Sequence, residues 1–90
     1  MSSQIGRADM TSSVFTKKYD IFKELLIEHR KRAGFTQQNL AELIDKPQSY
    51  VSKYESGERR LDLVEFIDVA EALQFDKYQF IKELEERASK

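Results

Sequence analysis

Gln48, Ser49, Ser52 and Lys53 recur at the i, i+1, i+4, i+5 spacing that gathers side chains on one side of an α-helix, and all four carry hydrogen-bonding groups. Val51, Tyr54 and Glu55 fall on the other side. The outward row is slim and carries no acid. That chemistry suits the major groove of double-stranded DNA, where glutamine bonds adenine in a bidentate fashion, lysine donates to guanine and serine serves as either partner. A solvated helix face can have the same composition, so the row gains meaning only from the elements that would hold it.

Those elements are written between Thr36 and Gly57. Thr36 supplies a side-chain acceptor for free N–H groups, Phe35 and Leu40 stand at staple spacing, and Leu40, Leu43 and Ile44 form an apolar stripe. Ala41 is small enough for a second helix to come close. The break falls at Asp45-Lys46-Pro47, because proline disfavours the helical conformation in the residue before it and suits the first turn of the helix that follows. A new helix is predicted from about Gln48. Two short helices around a tight break, the second with a hydrogen-bonding outer row, is a helix-turn-helix layout.

Upstream, a helix is predicted over roughly Lys17–Arg32, with Tyr19, Phe22, Leu26 and Ala33 along one side and Arg30 between the last two. A guanidinium on an apolar face needs an acid, and Glu55, on the inner side beside Val51 and Tyr54, is its natural partner. The pair Arg30–Glu55 is therefore expected as a structural ion pair; a solvent-facing Arg30 lying along the surface is the competing expectation. Downstream, Asp62-x-x-Glu65 reads as a capping box with Leu61 and Phe66 as its staple, opening a helix through Val69, Ala70 and Leu73. Asp76-x-x-Gln79, flanked by Phe75 and Phe80, reads as a second box opening a last helix with Ile81, Leu84 and Ala88 on one side. So small a domain has limited interior, and Phe75, Tyr78, Phe80, Ile81 and Leu84 are expected to furnish a two-fold dimer contact wherever they are not core.

The stretch from about Leu26 to Phe75 resembles the phage lambda repressor and Cro type of DNA-binding domain, the Xre family, through TQxxLA at Thr36–Ala41 and SYVSKYESG at Ser49–Gly57. The resemblance implies an all-α, compact five-helix bundle of the lambda repressor-like type, with the helix from Gln48 as the recognition helix. It also implies that Gln37 points to a DNA phosphate while hydrogen-bonding Gln48 and so fixing that side chain against its base, and that the arginine and glutamate matching Arg30 and Glu55 are held together beneath that helix. A helix start attracts anions in any case, and Gln37 sits in the first turn. The base-reading set is thus Gln48, Ser49, Ser52 and Lys53. The phosphate-contacting set is Thr36, Gln37, Tyr50, Ser56, Arg59 and Arg60, the last three in the loop around Gly57, whose glycine suits a left-handed helix end. Departures from the family pattern are Asp45 and Gln74 where glycine is usual, Lys46 where an apolar residue is common, and Asn39 where glutamate often completes the capping box.

Net charge, −1 over 90 residues, argues against nucleic-acid binding, since non-specific affinity comes from neutralising phosphates. Its distribution softens the objection: from Lys17 to Arg60 ten bases face seven acids, and from Leu61 on four bases face eight acids. Two copies on adjacent half-sites would double the contacts that one modest basic patch can make. Residues 1–16, serine-rich and without sustained period, are expected to form a mostly disordered arm, in which Arg7 is the one base that could reach DNA; residues 17–90 form the domain.

Other classes find little support. There is no cysteine, no glycine-rich phosphate loop and no spaced metal-ligand set, His29 is the lone histidine, and Glu85-Glu86 reads as a solvated helix end. No enzyme, metal site or cofactor is expected. The chain has neither a membrane-length apolar run nor a secretory signal, and it reads as cytoplasmic. The predicted function is sequence-specific double-stranded DNA binding by a transcriptional regulator, most naturally a repressor acting as a homodimer on an inverted-repeat operator. The competing function is a protein-interaction module, such as the antitoxin that holds a toxin or an adaptor to the transcription machinery.

Overall fold

The structure, a computed structural model, describes residues 16–90, and these form five α-helices: α1 (Lys17–Arg32), α2 (Gln37–Leu43), α3 (Gln48–Ser56), α4 (Leu63–Leu73) and α5 (Lys77–Ala88). Apart from Thr16, the expected arm lies outside the described residues, Arg7 included. Thr16 itself belongs to α1, whose first turn it caps by accepting from the Tyr19 N–H at 3.1 Å. None of the helices among the described residues is long and apolar enough to cross a membrane.

Capping residues set most of the starts. Thr36 accepts from the Asn39 N–H at 3.0 Å, and the Asn39 side chain accepts in return from the Thr36 N–H at 3.2 Å, so asparagine completes the box that glutamate often completes in the family. Asp62 and Glu65 form the same reciprocal pair at 2.8 and 2.9 Å. At α5 only half of the expected box forms: Asp76 accepts from the N–H groups of Tyr78 and Gln79 at 2.9 and 3.1 Å. α3 starts without a side-chain cap, behind Pro47 at φ −68°, which has no N–H to satisfy.

Four helix ends turn through left-handed residues: Gly34 at φ +82°, Asp45 at +58°, Gly57 at +94° and Gln74 at +59°. After three of them the next N–H folds back onto the helix, from Phe35 to the Arg30 carbonyl, Lys46 to Ala41 and Phe75 to Ala70, at 3.1, 2.9 and 3.1 Å. Asp45 and Gln74 thus do in an L-residue what glycine does in the family pattern.

The core gathers Ile21, Leu25 and Leu26 of α1, Leu40 and Ala41 of α2, Val51 and Tyr54 of α3, Phe66, Val69, Ala70 and Leu73 of α4, and Phe80 of α5. α2 packs along α3 and α1 lies between α3 and α5, which places α3 on a platform made by its neighbours. The buried face of α1 is the expected one in part: Leu26 and Arg30 are buried and Phe22 packs against the core, joined by Ile21 and Leu25. Tyr19 is only half-buried and Ala33 is exposed, because the face turned to α3 and α5 is Ile21, Leu25, Leu26 and Arg30, and Ala33 already lies past the last helical turn. The α2 stripe is also narrower than predicted: Leu43 is 57% exposed, since the helix ends there and the turn carries Ile44 inward instead. α5 is tied to α1 by Arg87, which donates to Glu28 at 3.0 and 3.1 Å and to Glu83 at 2.7 Å.

Candidate nucleic-acid interface

Gln48, Ser49 and Lys53 are exposed on α3 and Ser52 is half-buried, while Val51, Tyr54 and Glu55 are buried behind them. The rod is therefore gripped along one side and open along the other. Beneath it Arg30 and Glu55 meet as a buried pair, with Arg30 Nε donating to Glu55 Oε2 at 2.7 Å and Nη2 to Oε1 at 3.1 Å. The remaining Arg30 nitrogen, Nη1, donates to the Phe35 carbonyl at 2.8 Å, which pins the turn between α1 and α2 to the same guanidinium. The Glu55 hydrogen bond outweighs burial and holds the Arg30 guanidinium more firmly in its charged form than an ordinary arginine.

The pair does not end at α1. Gln37 Nε2 donates to Glu55 Oε1 at 2.9 Å, and Gln48 Nε2 donates to Gln37 Oε1 at 2.8 Å. A continuous polar chain thus runs from a buried arginine to the first residue of the exposed row. Gln37 is half-buried at the start of α2 and Thr36 is exposed beside it, its hydroxyl oxygen engaged as the α2 cap.

The flank at the other end is built on Tyr50. Its half-buried ring meets Tyr54 edge-on, and both Arg59, at 4.6 Å, and Lys46, at 5.3 Å, lie over it. Arg59 is not a solitary phosphate ligand: its Nη1 and Nη2 bond Glu65 at 3.2 and 2.6 Å. The Arg59 hydrogen bond, reinforced by the Asp62 backbone N–H, holds the Glu65 carboxyl down at about 2. Arg60 is exposed and stacks on the Tyr19 ring at 4.1 Å. Ser56 is exposed, with its hydroxyl donating to the Lys53 carbonyl at 3.0 Å and accepting from the Glu58 N–H at 3.3 Å.

Two bases absent from the expected set sit on this flank. Lys46 shares the Tyr50 ring with Arg59, and Lys23 lies against Gly57, where an added Cβ would come within 2.8 Å of its Nζ. Lys46 could have been found from its place directly before Pro47 and α3. Lys23 is on α1, and only the packing of α1 brings it near the loop.

The expected dimer residues divide. Phe80 is 1% exposed, edge-on to Phe22 and stacked on Phe75 at 5.1 Å, so it belongs to the subunit's own core and cannot meet a partner. Phe75 and Leu84 are half-buried, while Tyr78 and Ile81 are 77% and 42% exposed. Leu63 and Val64, which sequence reading passed over, are 68% and 67% exposed at the start of α4, and Leu63 rims one shallow groove with Ile81, Leu84 and Phe22.

A helix-turn-helix family model matches residues 26–78. The chain is also similar to a solved structure, an XRE-family like protein from Pseudomonas syringae pv. tomato str. DC3000, with 39% sequence identity and a TM-score of 0.80 over 89% of this chain and 98% of that one. No significant match was found among curated proteins.

Proposed function

The chain belongs to the Xre, or Cro/C1-type, helix-turn-helix family of DNA-binding transcription regulators, and on that premise we propose that it is a repressor that binds an inverted-repeat operator as a homodimer. The observation that carries the reading is the exposed row Gln48, Ser49, Ser52 and Lys53, backed by a buried side of α3 and tied to the bundle through Gln37. Base edges are read by the row, and phosphates by the groups around it: Thr36 and Gln37 on one flank, Tyr50, Ser56, Arg59 and Arg60 on the other, with Lys46 and Lys23 added. Arg59 acts there chiefly by holding Tyr50, because a phosphate would have to compete with Glu65 for its guanidinium.

The dimer follows from charge and from surface. A patch with three bases in excess gives weak non-specific affinity, and a second copy doubles the number of phosphates it can neutralise. Leu63, Val64, Tyr78 and Ile81 are the exposed apolar side chains near the α4 start and on α5, and they support a two-fold contact there in place of the buried Phe80. Recognition helices so related sit about 34 Å apart.

Selection of bound fragments from random duplex DNA tests this. Enrichment of an inverted repeat whose half-sites are about one helical turn apart is expected. Enrichment of a lone half-site would overturn the dimer, and no enrichment by folded protein would overturn base reading and favour the antitoxin or adaptor role.

A further inference from the structure

We propose that Glu55 is a positioning residue for base reading: acting through Gln37, it fixes which end of the Gln48 amide faces the groove. The inference rests on the assignment of α3 as the base-reading helix. It starts from a chemical asymmetry. An ionised carboxylate only accepts hydrogen bonds, whereas a glutamine amide both donates and accepts.

Glu55 takes Arg30 on both oxygens, at 2.7 and 3.1 Å, and its Oε1 has room for one further donor, which Gln37 Nε2 fills at 2.9 Å. The Gln37 amide is thereby oriented with its NH2 toward the interior and its oxygen toward α3. Gln48 can answer that oxygen only by donating, and its Nε2 does so at 2.8 Å. What remains for DNA is the Gln48 oxygen and one N–H, side by side. That donor–acceptor pair complements adenine, which offers N7 as acceptor and N6–H as donor; guanine offers two acceptors and is matched only in half. A Gln48 released from Gln37 can turn both N–H groups outward, which guanine satisfies as well. Arg30 therefore polarises a base contact three hydrogen bonds away, and the ion pair does more than hold the fold.

The test combines binding and spectroscopy. In the selected half-site, the position whose discrimination disappears in Gln48→Ala is placed in four duplexes, one per base pair, and wild type, Gln37→Met and Glu55→Gln are compared on them. Gln37→Met leaves Arg30–Glu55 intact, and it is expected to lower adenine-over-guanine discrimination by on the order of tenfold, mostly by ceasing to reject guanine. Glu55→Gln, whose amide can present either end to Gln37, is expected to do the same, and the double variant no more than either. In the free protein, NMR should show slow solvent exchange of the Gln37 and Gln48 side-chain amides, with Gln48 becoming fast in Gln37→Met.

Discrimination retained by Gln37→Met overturns the proposal, as does weakening that is equal on all four duplexes, the signature of a bare phosphate contact. If Gln48→Ala changes discrimination nowhere, the base-reading assignment itself is wrong and the proposal falls with it, whatever the NMR reports. Should Glu55→Gln not fold, Gln37→Met and the amide exchange decide the matter alone.

Discussion

Arg30 and Glu55 lie in a part of the molecule where neither charge can be hydrated, with side chains 11% and 5% exposed. Each is tolerated because the other and a neighbouring polar group hydrogen-bond it: every Arg30 nitrogen donates, and both Glu55 oxygens accept. Removing one leaves the other buried and unpaired, so Glu55→Ala should lose about 3–5 kcal/mol of stability, read by thermal or denaturant unfolding; a loss below about 1 kcal/mol would mean that water reaches Arg30. His29 poses the opposite problem. Its ring is wedged against Phe75 and Phe80, with centroids 4.4 and 5.5 Å away, and its Nε2 is buried without a hydrogen-bond partner. Burial, assisted by Arg32 and Arg87 and opposed by Glu83 and Glu28, holds its pKa below the ordinary 6.5. Below that pH the unfolded chain takes up a proton that the folded chain refuses, so stability is full above 6.5 and declines as the solution is acidified toward the folded-state pKa. His29→Phe should abolish the decline between about pH 7 and pH 5 in melting experiments. An unchanged slope would place the responsible group elsewhere.

At the scale of the helix, the ends carry information that their residues only partly reveal. Asp45 and Gln74 occupy left-handed backbone at φ +58° and +59°, a region that costs an L-residue about 1–2 kcal/mol, less for aspartate. Gln74 is exposed and makes no side-chain contribution to the turn beyond filling it, so Gln74→Gly should gain about 0.5–1 kcal/mol once glycine's greater freedom in the unfolded chain is deducted. Denaturant unfolding reads the difference, and a loss of stability would show that the Gln74 side chain matters to the turn. The starts of α2, α4 and α5 were legible because Thr36, Asp62 and Asp76 act on N–H groups two or three residues away, a distance that sequence spacing encodes. The Asp45-Lys46-Pro47 break was legible for the same local reason. What the sequence concealed is set by partners remote in the chain: the α1 face depends on α3 and α5, and Phe80 became core because Phe22, Phe66 and Phe75 converge on it. The same holds at the interface. The outward row of α3 could be read from helical periodicity, and the resemblance supplied Gln37 beside Gln48, but the Glu55–Gln37 bond joins residues 18 apart and the Arg59–Glu65 pair joins a loop to a cap.

Across the whole molecule, the stretch from Lys17 to Arg60 carries a basic surplus suited to phosphate, and the stretch from Leu61 on carries an acidic surplus that phosphate repels. Of the exposed large apolar side chains, Leu43 lies in the basic half, while Leu63, Val64, Tyr78 and Ile81 lie in the acidic half. Leu63 and Ile81 rim one groove, so a carboxylate at either position would be forced against apolar surface in a dimer yet stay hydrated in a monomer. Leu63 is also the first residue of α4, where a negative charge is favoured by the helix dipole, and Leu63→Glu should therefore leave the monomer's melting temperature almost unchanged. With Ile81→Glu it should convert a dimeric sedimentation mass to a monomeric one. The consequence for DNA is quantitative: the logarithm of affinity falls with the logarithm of salt in proportion to the phosphates neutralised, so a monomer engaging one half-site should show about half the wild-type slope. A wild-type protein that is monomeric both free and on its operator, or a double variant with the full slope, would place the two-fold contact elsewhere or remove it.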